Sequence, residues 1–265
     1  MNAEIEKQLC DQYLKGKNTT ELGKEFGFVG ETVRACLHRN RIQIRPRSER
    51  QRRYRYDPSC FSKYTVDSMY YGGLLIADGN VSKRGNLFQI EILESDRELL
   101  DGMRDWMSYT GTIETRSRCH PSGSVSEMVS LRLTAPDLVG DLRSLFGVAP
   151  KKSTEQMELP PSLLEHSLRE FFFRGMFDGD GCVGIRQGKH RAGAMFANFG
   201  GSPIVAQAFQ DWVSSELGFE GSVSRRSKTF WVLQYASQQS RKLGELLYRD
   251  KRGMRMRRKE CLFQM

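Results

Sequence analysis

At 265 residues, 38% of them hydrophobic, the chain should be globular, forming one large domain or two to three small ones. Its 41 Lys and Arg against 32 Asp and Glu leave a net charge of +9, favouring a polyanionic partner, because basic groups that neutralise phosphates release condensed counterions. Six scattered cysteines with no CxxC pair, four histidines at no zinc-ligand spacing, a polar Met1–Cys10 and no apolar stretch near ~20 residues disfavour zinc modules, secretion and membrane insertion. Reduced thiols and an intracellular site (cytoplasm, nucleoid or organelle matrix) are expected.

Ile5, Leu9 and Tyr13 at helical spacing predict a first helix. Asn18, with Glu21 three residues on, predicts a capping box for a second helix with Leu22 and Phe26 on its apolar face and Gly27 at its end. A third helix is expected from about Gly30 to His38. This stretch resembles a helix-turn-helix: small Gly23 sits where helices cross, Gly27 is in the turn, and Phe28, Val33 and Cys36 face inward. The resemblance implies a third helix in the major groove, with Glu31, Arg34 and His38 reaching base edges or phosphates. A three-helix protein-interaction module makes the same packing demands.

From Arg41 to Arg55 the chain is arginine-rich, holds Pro46 and has little apolar content, which reads as a linker. It is either a solvated tether or a strap along DNA, with Arg45, Arg47, Arg52 and Arg53 as the contact candidates.

Beyond Phe61 one order of elements is read twice: motif helix, hairpin, helix, hairpin, helix. In the first pass the motif helix spans Thr65–Asp78, and Lys83–Asn86 turns a hairpin into a strand from Leu87 to Leu93. Ser95 is expected to cap a helix bearing Leu99, Met103 and Trp106. Strands Thr112–Cys119 and Val125–Leu133 then flank a turn, and a helix from Pro136 to Phe146 closes the half. In the second pass the motif helix ends at Asp180, with strands near Cys182–Gln187 and Ala194–Phe199 and a helix near Pro203–Leu217. Strands near Gly221–Arg226 and Thr229–Tyr235 follow, then a helix to Tyr248. The expected domains are residues 1–42, a linker 43–60, and repeats 61–160 and 161–265, together a monomeric pseudo-dimer.

The repeat is clearest in Gly72-Gly73-Leu74-Leu75-Ile76-Ala77-Asp78-Gly79 and Arg174-Gly175-Met176-Phe177-Asp178-Gly179-Asp180-Gly181. Gly72, Gly73 and Gly175 cost ~1 kcal/mol each in helix propensity, a cost that a close interface between the two motif helices would explain. Tyr71, Leu75, Phe173 and Phe177 would then pack outward into separate cores. Each motif ends in Asp-Gly, the Gly suited to a left-handed helix terminus. Asp78 and Asp180 face the negative ends of helix dipoles, and two such carboxylates brought together repel unless a divalent cation lies between them. Hard oxygen ligands point to Mg2+ or Mn2+.

Both segments, and the order of elements after each, resemble the LAGLIDADG homing endonucleases in their single-chain, two-repeat form, from about Phe61 to the C-terminus. The resemblance implies an α+β fold with pseudo-two-fold duplicated αββαββα halves and saddle-shaped antiparallel sheets, plus the small all-α helix-turn-helix domain. It implies site-specific, metal-dependent hydrolysis of double-stranded DNA by an intron-encoded or other mobile element. The metal set would be Asp78, Gly79, Asp180 and Gly181, with basic Lys152 and Lys259 assisting near each metal. Strand residues facing DNA would include Arg84, Gln89, Arg116, Arg118 and Arg132, then Arg186, Asn198, Arg225 and Gln234. Asp178 stands where an acid is common but is not the metal ligand, and is expected to cap or hydrogen-bond locally; the first motif has Ile76 there. A nuclease-inactive DNA-binding regulator, or an RNA-binding intron maturase, is the alternative on the same fold. An intein is disfavoured by the residues at the two ends.

Overall fold

The computed structural model describes residues 2–44, 54–82, 84, 86–121, 123–148, 150, 158–187 and 193–265. It divides into two compact units, Met1–Arg55 and Tyr56–Met265.

In the first unit, helices α1 (Ala3–Leu14), α2 (Thr19–Phe26) and α3 (Gly30–Arg39) enclose Leu9, Cys10, Tyr13, Leu22, Val33, Cys36 and Leu37. The Asn18–Glu21 capping box forms, its reciprocal bonds satisfying backbone N–H groups at the start of α2. Gly27 ends that helix at φ 73°, a conformation other residues resist. Gly23 is needed for another reason, since a Cβ there would lie 2.5 Å from the Phe28 carbonyl oxygen.

The second unit repeats helix, two strands, helix, two strands, helix. Its first half comprises α4 (Val66–Ala77), β1 (Gly79–Val81), β2 (Leu87–Leu93), α5 (Glu98–Trp106), β3 (Glu114–Cys119), β4 (Val125–Thr134) and α6 (Pro136–Phe146). The second comprises α7 (Arg169–Asp180), β5 (Gly181–Ile185), β6 (Met195–Gly201), α8 (Pro203–Leu217), β7 (Ser222–Ser227), β8 (Phe230–Ala236) and α9 (Gln238–Tyr248). A terminal helix, α10 (Arg257–Phe263), follows. The two sheets are antiparallel, in the orders β1-β2-β4-β3 and β5-β6-β8-β7. Alternation along β2 buries Phe88, Ile90 and Ile92, and helices cover that face. The opposite face of each sheet is open.

Two sequence expectations differ from what is seen. Ser95 does not cap α5: it lies in a 3-10 turn, Glu94–Asp96, and the N-cap position of the helix falls to Arg97, which makes no side-chain cap bond. Gly79 and Gly181 are not left-handed; among the described residues neither has positive φ, and Gly181 is extended at φ −79°, ψ 152°. Each passes straight from helix into strand and is small for want of room. A Cβ would lie 2.6 Å from the Leu75 carbonyl oxygen at Gly79, and 2.3 Å from that of Phe177 at Gly181.

Candidate functional site

The two motif helices, α4 and α7, meet backbone to backbone. A Cβ on Gly73 would stand 2.0 Å from the Phe172 carbonyl oxygen, and one on Gly175 would stand 2.0 Å from that of Tyr70. No larger residue fits at either point without separating the helices. Gly72 faces away from this contact and makes room for the Phe146 ring of its own half. Outward from the seam, Tyr71 stacks on Trp106 (centroids 5.0 Å apart) and Phe173 on Trp212 (4.6 Å), one in each half's core.

This packing brings the two chain ends of the motifs together. The Asp78 Oδ2 lies 2.8 Å from where a Gly179 Cβ would be, so the half-buried carboxylate of one motif rests on the residue preceding Asp180 in the other. Asp180 itself is exposed. The main-chain carbonyls of Gly79 and Gly181 follow directly at the strand starts. Among the described residues no three His, Cys, Asp or Glu side chains gather as a metal cage.

Lys259, from α10, is buried and donates to the carbonyl oxygens of Phe177 (2.9 Å), Asp178 (2.6 Å) and Gly179 (3.4 Å). It thereby caps the end of α7, where only the Phe177 carbonyl also takes the Gly181 N–H, with a cation at the negative end of the dipole. Burial pushes its pKa down to about 8, against the attraction of Asp178 and Asp78. Lys152 lies outside the described residues.

Asp178 is fully buried, and its partners are distant in the chain rather than local. Its Oδ1 accepts from the Tyr248 hydroxyl (2.5 Å), and its Oδ2 accepts from the Tyr70 hydroxyl and the Met256 N–H (both 2.8 Å). Burial raises its pKa, while Tyr248, Lys259, Met256 and Tyr70 pull it back down. Tyr70 belongs to the other motif helix, so the carboxylate ties the halves together. Nearby, fully buried Arg174 donates to the carbonyls of Leu247, Asp250 and Arg252, pinning the segment that leads to α10. Asp96, buried in the first half, accepts from the Nε and Nη2 of Arg258 at 2.6 and 2.8 Å. Sequence reading missed this network, because nothing in local spacing pairs Tyr70, Asp178 and Tyr248.

Strand register sorts the sheet residues, since directly paired residues share a face. In the first sheet Asn80, Gln89 and Arg132 form one row. Arg116 pairs with Met128, and Arg118 with Ser126, on that same open face. There Arg116 forms an ion pair with Glu91, and Arg118 lies 3.9 Å from the same carboxylate. Arg84 is exposed in the β1–β2 turn. In the second sheet Cys182, Asn198, Gln234 and Ser222 form the matching row, and Arg186 lies over the Phe196 ring on that side. Arg225 departs from the expected set: it pairs with Trp231, on the face of buried Leu233, and its guanidinium stacks over that indole at 4.9 Å. Its face follows from the pairing of Val223 with Leu233 two residues earlier; the register shift in β7 comes only after it, between Arg225 and Ser227.

In the three-helix unit Glu31 and His38 are exposed and Arg34 is half-buried, ion-paired with Glu31. Arg45, Arg47, Arg52 and Arg53 lie outside the described residues. No described helix is long and apolar enough to cross a membrane.

No protein-family model and no curated protein matches the chain. Among solved structures it is similar to the homing endonuclease I-WcaI bound to its DNA recognition sequence, at 10% identity and TM-score 0.49, covering 72% of this chain and 84% of that one. The LAGLIDADG meganuclease I-AabMI bound to uncleaved DNA gives 15% identity and TM-score 0.46, covering 76% and 88%. The I-LtrWI LAGLIDADG homing endonuclease bound to target DNA gives 12% identity and TM-score 0.46, covering 79% and 91%.

Proposed function

We propose that this chain is a site-specific, divalent-metal-dependent endonuclease that hydrolyses both strands of a DNA duplex. The observation that carries the reading is the seating of the Asp78 carboxylate on Gly179, next to Asp180, where two glycine-sealed helices end. On this reading the two acids act as one site, and the repulsion between them is relieved by the cations and phosphate they share.

The donor set fits Mg2+ or Mn2+. Two carboxylates with the Gly79 and Gly181 carbonyls offer only hard oxygens and no closed cage, matching an ion that keeps waters and takes substrate phosphate as ligand. When bound, such an ion polarises the scissile phosphate and lowers the pKa of its water. The chain's own contribution is positional. Gly73 and Gly175 hold the motif helices in contact, Lys259 fixes the end of α7 so that the backbone before Asp180 cannot fray, and Asp178 joins the halves through Tyr70. The open faces of the sheets carry the base and backbone readers. The three-helix unit extends the site, with Glu31, Arg34 and His38 directed at a major groove.

The test is to incubate the protein with magnesium and a randomised duplex library, then sequence the cut ends. Asp78→Asn and Asp180→Asn should each abolish cutting of one strand, by about a thousandfold or more, the scale of losing a charge-stabilising group. Calcium-supported binding should persist. Double-strand cutting at the parent rate by either variant overturns the proposal.

A further inference from the structure

The two open sheet faces are chemically unlike. Both carry a polar row, Gln89 beside Arg132 in the first and Asn198 beside Gln234 in the second; the first adds Arg116 and Arg118, with exposed Leu93 at the end of β2. The second presents two aromatic rings that reach over glycines of neighbouring strands. A Cβ on Gly184 would lie 3.0 Å from the Cζ of Phe196, and one on Gly200 would lie 2.7 Å from the Cζ of Phe230. Phe230 is 44% exposed, and Val232 stands beside it in the same strand, facing the same way. The Arg186 guanidinium, 5.4 Å from the Phe196 centroid, sets a phosphate-seeking charge next to one ring.

A phenyl ring offers no donor or acceptor. Seated against cytosine, it would bury the exocyclic amine without a partner. The apolar feature of a base edge in the major groove is the thymine methyl group, which Phe contacts favourably. We propose that the second sheet selects thymines by packing Phe196 and Phe230 on their methyl groups, while the first sheet reads its half of the target by hydrogen bonds. The target is then two unlike half-sites, the one beneath β5–β8 the richer in thymine. This inference rests on the duplex-endonuclease reading and specifies its substrate. The competing account of the rings is that they only shield glycines and stiffen the sheet.

The full-length protein, in calcium, is used to select binding sites from a randomised duplex library. The selected duplex is then remade with deoxyuridine for thymidine in one half or the other. Affinity should fall about fourfold for each contacted methyl removed, in one half only. Photocrosslinking of 5-iodouracil placed in that half should recover peptides containing Phe196 or Phe230. Phe196→Ala should blunt the deoxyuridine penalty, whereas Gln89→Ala should weaken binding and leave the penalty intact. A selected site indifferent to deoxyuridine, crosslinks confined to the first sheet, or a full penalty in Phe196→Ala would overturn the inference and leave the endonuclease reading standing. Crosslinking and deoxyuridine substitution use the parent protein, so they decide the matter even if the Phe variants fail to fold. Failure to select any duplex would sink both.

Discussion

Three carbonyls at the end of α7 converge on one ammonium, and Lys259 shows how a single side chain couples burial to position. Donating to all three requires the charged form, yet burial holds the pKa near 8 rather than its ordinary 10.5. Between those values the unfolded chain binds the proton and the folded one releases it, so the penalty present below about pH 8 fades as pH rises toward 10.5. A 13C-labelled lysine titration should show one resonance with a midpoint near 8. Its absence in Lys259→Met assigns it, and a midpoint in the bulk lysine range contradicts this account. Asp178 makes the complementary case, since two hydroxyls and one amide lose their acceptor in Asp178→Ala. Urea unfolding of the second unit should register a loss of about 3 kcal/mol or more, with Asp178→Asn milder, because each stranded buried donor costs ~1–3 kcal/mol.

At the scale of elements, the α4–α7 seam explains which motif glycines are obligatory. Gly73→Ala and Gly175→Ala each drive a methyl into the opposite backbone and should destabilise by about 1–3 kcal/mol, with metal-supported cutting falling further as the acids part. Gly140, in α6, has nothing within 4 Å of a Cβ, so Gly140→Ala should stabilise by up to ~1 kcal/mol through helix propensity. Thermal melts of the three variants check the ordering; equal effects would mean that the seam is not tight. Gly72 looked equivalent to Gly73 in sequence. Helical geometry separates them by about 100°, turning one to the seam and the other to the Phe146 ring.

For the whole molecule, the division at Arg55 separates the three-helix unit from the unit holding both motifs. Arg34→Ala should therefore weaken binding, measured by DNA titration, without abolishing metal-dependent cutting at saturating protein. Loss of cutting at saturation would show that the three-helix unit takes part in the chemistry. Association should weaken steeply with added salt, and a chain beginning at Tyr56 should show a shallower slope, because phosphate contacts from residues 1–55 would be gone. An unchanged slope would exclude the arginine-rich segment from DNA contact.

Sequence alone determined the local order of this protein. Capping pairs such as Asn18–Glu21, Pro at the starts of α6 and α8, alternation in β2, and the twice-written motif all act within a few residues, so they are legible in one dimension. Whatever depends on which surfaces meet was decided by the tertiary structure. The Tyr70–Asp178–Tyr248 lock spans separations of 108 and 70 residues, the β7–β8 register that puts Arg225 on the covered face is a property of strand pairing, and Lys259 caps a helix 80 positions away. Burial and register arise only when separate segments pack, and it is packing that seats the Asp78 carboxylate on Gly179.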